Sequence, residues 1–242
     1  MSVLSERHVG LNVCRNNIQT VRNSHILFVC VKPLQFATLI EEIKDDVRPN
    51  QLFISITSPV QLAHLENSLS CKIVKVIPSV THMVGSGASL VMYGNRIDEK
   101  DKQRLHNLLS FISKPMEIKE SQARINSDFS SCGPAFMSFF LAKWIDAAVE
   151  MTGSSREEIT CLASEMMLGT GMLLTEGGLT PLQLQERVAV PGGITAQALS
   201  QLNHSLDGVF HRLITTTHHK YDEDVGELDQ LFGSSEINRP QY

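Results

Sequence analysis

The feature that most constrains the fold is an alternation of short apolar runs with helix-like segments in the first half of the chain. Residues 26–31, 52–56 and 72–77 read ILFVCV, LFISI and KIVKVI. Runs this short and this rich in β-branched residues are typical of strands covered on both faces. The segments between them, 34–47 and 63–69, place apolar residues at helical spacing. This order predicts a doubly wound α/β domain built on a parallel sheet.

The same domain is predicted to extend over residues 1–120. Residues 89–93 and 116–118 are further strand candidates, and residues 99–112 form an amphipathic helix between them.

The pattern changes to helices alone over residues 121–242. Apolar spacing predicts five helices and then an acidic, polar tail; the helices cover residues 134–151, 154–176, 181–187, 195–202 and 205–221. Ser154 and Glu157 form an S-x-x-E capping box that is expected to start the second helix. We therefore expect an α/β domain followed by an all-helical domain.

The first of these helices is apolar around nearly its whole circumference. Its polar positions form one stripe of Lys143, Asp146 and Glu150. One small domain cannot easily bury so much apolar surface. We therefore predict that the chain pairs with a second copy as a homodimer or a higher oligomer.

Composition excludes several classes of function. The formal net charge of the 242 residues is -5, and lysine and arginine are scattered rather than clustered, which argues against a nucleic-acid partner. No apolar run approaches the roughly 20 residues that cross a bilayer, so we expect no membrane association. The five cysteines form no C-x-x-C pair, which favours a reduced, cytoplasmic protein.

Three short stretches carry the candidate chemistry. They are Val31-Lys32-Pro33 after a predicted strand, residues 130–136 (SSCGPAF) opening the long helix, and residues 188–195 (VAVPGGIT). In the last stretch a Pro-Gly-Gly turn leads directly into a helix, where unpaired backbone N–H groups and the helix dipole can hold a carboxylate. Simpler alternatives are a loop before a helix, an N-cap followed by proline, and a proline that ends a strand.

Together these stretches resemble the pyrroline-5-carboxylate reductase family, whose matching stretches are VKP, an SGSGPA-like turn and an SPGGTT-like loop. The resemblance covers nearly the whole chain. It implies a Rossmann-like sheet domain, incomplete here, followed by a helical substrate and dimerisation domain. It also implies reduction of a small cyclic imine, pyrroline-5-carboxylate, to proline with NADP or NAD as the cofactor.

The resemblance also assigns roles to individual residues. Thr195 is the catalytic candidate, offering its hydroxyl near the ring nitrogen of the imine. The substrate-binding candidates are Val190, Gly192, Gly193, Thr195 and Glu176. The cofactor-binding candidates are Val31, Lys32, Pro33, Pro78, Ser79, Ser131, Cys132 and Gly133.

The sequence departs from the family pattern in two ways. The family opens with a strand, a G-x-G-x-x-G turn and a helix, which this sequence does not contain, so we expect the printed chain to bind NAD(P) poorly. Either the start codon has been placed too late or the gene is a decayed copy. In addition, Ile77-Pro78-Ser79-Val80-Thr81 stands where the family has MPN-x-P, and Ala189 and Val190 replace usual serines. These replacements resemble the late-competence branch of the family.

Other interpretations remain open. A non-catalytic relative with a regulatory or interaction role is favoured by the missing glycine-rich turn and by Val190. A β-hydroxyacid dehydrogenase would pair a lysine in the long helix with an asparagine, but Lys143 has Ala147 at that place. His218 and His219 with the acidic residues that follow match no common metal site, and we interpret them as a solvated helix end.

Overall fold

Five short strands form one sheet in the order β1-β2-β3-β4-β5. We describe a computed structural model that covers residue 8 and residues 10–233. The strands are β1 (Ile26–Val29), β2 (Leu52–Ser55), β3 (Lys72–Ile77), β4 (Ala88–Tyr93) and β5 (Lys114–Glu117). The helices beside them are α1 (Asn17–Arg22), α2 (Phe36–Ile43), α3 (Leu62–Ser68), α4 (Glu99–Leu109) and α5 (Ala123–Ser127). The predicted α/β architecture is confirmed.

The sheet is mixed rather than wholly parallel. β1, β2 and β3 run parallel, as do β4 and β5, but β3 and β4 are antiparallel. The connection from β3 to β4 contains only a short 3-10 helix, Val80–Val84. A parallel crossover needs a dozen or more residues and usually a helix, whereas antiparallel strands accept a short connection. The length of this loop therefore sets the direction of β4.

Alternate residues of the strands fill separate apolar clusters on the two faces of the sheet. Phe53 and Ile73 lie in one cluster with Phe36 of α2, while Ile54 and Val74 lie in another. Because successive strand residues point to opposite faces, both faces of the sheet are covered, as the continuous apolar runs predicted.

The described chain divides into two compact units: the first, or sheet, unit contains the described residues up to 133 together with residues 216–233, and the second, or helical, unit contains residues 134–215. The helices after α5 are α6 (Gly133–Thr152), α7 (Arg156–Thr175), α8 (Pro181–Val188), α9 (Ile194–Ser205) and α10 (Val209–Leu231). The predicted helical second half is thus confirmed. None of the described helices is both long enough and apolar enough to span a membrane.

Two details of the helices differ from the prediction. Ser155, not Ser154, caps α7 by accepting a hydrogen bond from the Glu158 N–H, because Ser154 is instead bonded to the Thr152 hydroxyl. The prediction that a polar tail follows residue 221 is also wrong.

The acidic segment is helical because it is amphipathic. α10 continues to Leu231, and Val225 and Leu228 are buried within the first unit. Phe232 packs against the same core, so the apolar positions recur at helical spacing. The end of the chain that the structure describes is therefore part of the sheet unit.

Candidate functional site

The carboxyl ends of the three parallel strands bring two of the predicted cofactor segments to one edge of the sheet. Val31 and Pro33 follow β1, and Pro78 follows β3. The segment after β2 is hydrogen-bonded to the segment after β1, since the Thr57 hydroxyl donates to the Val31 carbonyl oxygen at 3.2 Å. Ligands of open α/β sheets bind at this edge, so its location is compatible with the assigned role.

The segment after β1 leaves the strand earlier than predicted. β1 ends at Val29, and Lys32 is extended with φ -64° and ψ 151°, because a residue before proline is kept out of the helical region. Pro33 then begins a 3-10 turn, and the Gln35 side chain accepts the Lys32 N–H at 3.3 Å. Lys32 is exposed, so its ammonium group is accessible to an anionic ligand.

The segment after β3 is held by a histidine that the sequence analysis did not single out. His82 Nδ1 accepts the Ser79 N–H at 3.4 Å, and its Nε2 lies 3.3 Å from the Ala88 carbonyl oxygen. The nearly buried Ser79 hydroxyl also accepts a bond from the Thr81 hydroxyl at 2.9 Å. Gly87 has φ 86° and comes so close to Thr81 that a Cβ would collide with its hydroxyl. These contacts define the conformation of the loop that carries Ser79.

The Ser131-Cys132-Gly133 turn has a different local structure from the N-cap considered as its simpler interpretation. Residues 128–132 form a single π-helical turn that joins α5 to α6 without a break. Pro134 has no N–H to donate to the preceding turn, which accounts for the irregularity. π-turns are frequent at functional sites.

Beneath this turn lies a buried ion pair that the sequence analysis missed. Arg124 Nη2 donates to Asp128 Oδ1 at 2.8 Å and to Cys132 Sγ at 3.2 Å. The other oxygen of Asp128 accepts the Thr217 hydroxyl at 2.8 Å, and His218 Nε2 lies 3.9 Å from it. The interpretation of His218 as part of a solvated helix end is therefore wrong. The sequence does contain one signal of the ion pair, because Arg124 and Asp128 carry opposite charges at positions i and i+4.

The Pro-Gly-Gly loop of the second unit leads directly into the N-terminus of α9. Gly192 has φ 74°, a left-handed value that favours glycine, and Gly193 is the N-cap of α9. A Cβ on Gly193 would lie 2.8 Å from Val190 Cγ2, so this position also needs glycine. Gly193 offers no side chain to cap the first-turn N–H groups of α9, which include that of Thr195.

The remaining substrate candidates also belong to the second unit. Val190 is 63% exposed at the start of the loop. Glu176 is the C-cap of α7 and is exposed. Their roles in substrate binding stay predictions.

Comparison with known proteins identifies the class. The chain is 37% identical to ComE operon protein 4 of Bacillus subtilis over 95% of its own length and 84% of that protein. It is 30% identical to pyrroline-5-carboxylate reductase 3 of the same organism, over 89% and 81% of the two chains. The family described as pyrroline-5-carboxylate reductase dimerisation matches residues 120–224.

Solved structures agree with this class. The NADP-bound pyrroline carboxylate reductase of Plasmodium falciparum superposes with a TM-score of 0.77 at 26% identity, over 92% of this chain and 82% of that one. The reductase of Coxiella burnetii, at 24% identity and a TM-score of 0.78 over 97% and 85% of the chains, shares the fold. The chain belongs to the pyrroline-5-carboxylate reductase family, as its motifs predicted.

Proposed function

We propose that this protein reduces the C=N bond of pyrroline-5-carboxylate with NADPH or NADH and so forms proline. The observation that carries the proposal is the glycine loop at the N-terminus of α9, which presents uncapped N–H groups immediately beside Thr195. An imine acid offers both partners for this arrangement, a carboxylate and a ring nitrogen. The reductases among the relatives support the same chemistry.

The substrate is bound mainly by backbone. The first-turn N–H groups of α9 and the positive end of its dipole bind the carboxylate, and the two glycines allow it to approach closely. The Thr195 hydroxyl bonds to the ring nitrogen and fixes which carbon faces the hydride donor. Val190 and Glu176 complete the proposed surroundings of the substrate. Because Ala189 and Val190 supply no hydroxyl, carboxylate binding is weakened by about 1 kcal/mol per lost hydrogen bond.

The residues at the sheet edge fit a pyridine nucleotide. Exposed Lys32 offers a cation to a phosphate, while Val31, Pro33 and Pro78 offer apolar walls at the carboxyl ends of β1 and β3. Bound there, the nicotinamide would supply the hydride. The residues proposed to contact the cofactor are Val31, Lys32, Pro33, Pro78, Ser79, Ser131, Cys132 and Gly133.

We also infer that two copies associate through the helical unit. α6 and α7 line an apolar groove of about 270 Å³ that includes Trp144, Ile159 and Leu162. Trp144 is 68% exposed in a single chain, and Ile145 is the one buried residue among the described positions of α6. A second copy is the proposed occupant because the matching family is described by its dimerisation.

The location and the domain boundary remain proposals. All five cysteines are unpaired, which suits a reducing compartment such as the cytoplasm. We retain residues 1–120 and 121–242 as the proposed functional division.

A non-catalytic role in competence is the second candidate. It is favoured by the 37% identity to ComE operon protein 4 and by the loss of both hydroxyls at Ala189 and Val190. Under this alternative the fold and the self-association persist, but removing the Thr195 hydroxyl has no effect on any turnover.

Thr195 variants separate the two candidates. We expect Thr195→Val to lower kcat/KM for pyrroline-5-carboxylate at least about tenfold, because a hydrogen bond to the reacting group is lost, and Thr195→Ser to restore most of it. Thr20→Val removes an exposed hydroxyl that bonds to the Asn16 carbonyl oxygen at the start of α1 in the sheet unit; it is the matched control and should leave the rate unchanged. Equal rates for Thr195→Val and the unsubstituted protein would remove Thr195 from the mechanism.

A further inference from the structure

We propose that Asp128 is a positioning residue that clamps the Ser131-Cys132 turn to α10. Asp128 is 7% exposed, and its two carboxylate oxygens accept from different elements. Oδ1 accepts from Arg124 on α5, and Oδ2 accepts from Thr217 on α10, each at 2.8 Å. A single buried carboxylate therefore joins the turn to two helices. The catalytic consequence of this clamp rests on the proposed reductase function.

The turn needs such a support because it is not a regular helix. A π-turn has wider hydrogen-bond spacing than an α-helix, and long π runs are rare. In addition, Pro134 removes one backbone donor immediately after the turn. The conformation that presents Ser131 and Cys132 therefore depends on side-chain contacts. Asp128, at the first position of the turn, makes these contacts.

Arg124 contacts both ends of the turn. Its Nη2 contacts both Asp128 at the first position and Cys132 Sγ at the last. Its guanidinium also lies 5.9 Å from the ring centre of Tyr221 on α10, and the Tyr221 hydroxyl donates to the Ser58 carbonyl oxygen at 3.5 Å. The turn, α10 and the segment after β2 thus share one polar network.

Asp128 acts through other groups rather than on the substrate. Both of its oxygens are occupied by Arg124 and Thr217, and charge-assisted bonds of this kind are the stronger ones in proteins. The structure thereby gives α10 a direct influence on the geometry of Ser131 and Cys132. We expect the clamp to affect the rate of hydride transfer more than substrate affinity, because the carboxylate site is formed by a different loop.

The test measures the turn without requiring any turnover. In the full chain, Thr217→Val removes the hydroxyl with little change of shape, Thr217→Ser keeps it, and Thr215→Val removes an exposed hydroxyl that bonds only within α10. Alkylation of Cys132 by N-ethylmaleimide is followed by peptide mass spectrometry. Buried Cys71, whose pKa desolvation raises to about 11, reports global opening in the same sample.

We expect Thr217→Val to accelerate Cys132 alkylation about fivefold, and the other two variants to stay within about twofold of the unsubstituted protein. Cys71 should remain unreactive in all of them. Alkylation of Cys132 that is unchanged in Thr217→Val overturns the clamp, and so does an acceleration that Cys71 shares, since that would be general loss of stability.

Steady-state kinetics then test the positioning role. Thr217→Val is expected to lower kcat about fivefold with the KM for the imine within about twofold, and Thr217→Ser should rescue kcat. An unchanged kcat beside accelerated alkylation would overturn the catalytic part. If the unsubstituted protein shows no turnover, the proposed function fails, while the alkylation rates still decide whether the clamp exists.

Discussion

At the residue scale, the most informative side chain is a lysine in the middle of the sheet. Lys75 on β3 is 0% exposed, and its Nζ donates to Glu120 Oε1 at 2.8 Å. Burial lowers the pKa of Lys75, while the charge of Glu120 acts in the opposite direction. Glu120 also accepts the Leu62 N–H at 2.9 Å. A buried cation that depends on one carboxylate is vulnerable to loss of its partner.

Glu120→Gln should therefore be strongly destabilising. The substitution leaves the Lys75 ammonium buried without a counter-charge, which costs about 3 kcal/mol of the free energy of unfolding. Glu117→Gln is the matched control, since Glu117 pairs with Lys102 at the surface and should cost at most about 0.5 kcal/mol. Urea unfolding followed by far-UV circular dichroism gives both values. Equal losses would show that the buried pair is not needed.

The loss in Glu120→Gln should shrink as the pH rises. Without Glu120 the pKa of Lys75 in the folded protein falls further below the unfolded value of 10.5, so the unfolded chain binds more protons between the two values. Stability then increases with pH across that window. Urea unfolding between about pH 7 and pH 10 measures it, and a loss that grows with pH contradicts the assignment.

At the element scale, the sequence predicted the strands well and α10 poorly. The strands can be recognised from the sequence because both faces of the sheet are buried, which makes each strand a continuous run of apolar residues. The second half of α10 reads as an acidic tail because its apolar residues are few. Val225 and Leu228 are identified as core residues only by their burial in the folded protein. The contacts of the π-turn were equally hidden, because Asp128 in the turn bonds to Thr217 on a helix distant in sequence.

The candidate site was predictable where it depends on local backbone. The Pro-Gly-Gly turn before α9 is readable from sequence because glycine is required at Gly192 and Gly193 for conformation and space. The support of Ser79 by His82, in contrast, depends on two ring nitrogens reaching backbone groups at both ends of a loop. No sequence spacing specifies that arrangement.

The last turns of α10 are held by a buried histidine–carboxylate contact, which can be tested by substitution. His64 Nε2 lies 2.8 Å from Asp229 Oδ1, and Nδ1 accepts the Gln61 N–H, so the neutral ring donates to Asp229. Asp229→Ala should cost about 2 kcal/mol and accelerate amide hydrogen exchange in the last two turns of α10. Asp224→Ala, on an exposed face of the same helix, should do neither. Unchanged exchange in Asp229→Ala would contradict this account.

At the scale of the whole molecule, the helical unit exposes more apolar surface than one chain can bury. The groove between α6 and α7 includes Leu141, Trp144 and Leu162. Large exposed apolar surfaces of this kind mark interfaces. We expect the polar stripe on α6, where Asp146 accepts a bond from Arg156 at 2.8 Å, to be the side that remains in water.

Leu162→Glu should separate the copies. A buried, unpaired carboxylate at the interface is expected to weaken self-association at least about 100-fold. Phe111→Glu, on the exposed surface of the sheet unit, is the control and should leave the mass unchanged. Sedimentation equilibrium over a range of protein concentrations measures both, and a Leu162→Glu protein that keeps the mass of the unsubstituted one excludes the groove as the interface.

The most direct test of the central claim is the oxidation of NADPH by the purified protein in the presence of pyrroline-5-carboxylate, with 1-pyrroline, which lacks the carboxylate, as the comparison. The protein is made from the printed sequence and also with any codons that precede it in frame. The account predicts turnover in at least one form, with kcat/KM for 1-pyrroline lower by at least about 100-fold, because the N–H groups of α9 lose their anion. No turnover by either form, while both are folded and self-associated, would contradict the reductase assignment and leave the non-catalytic role.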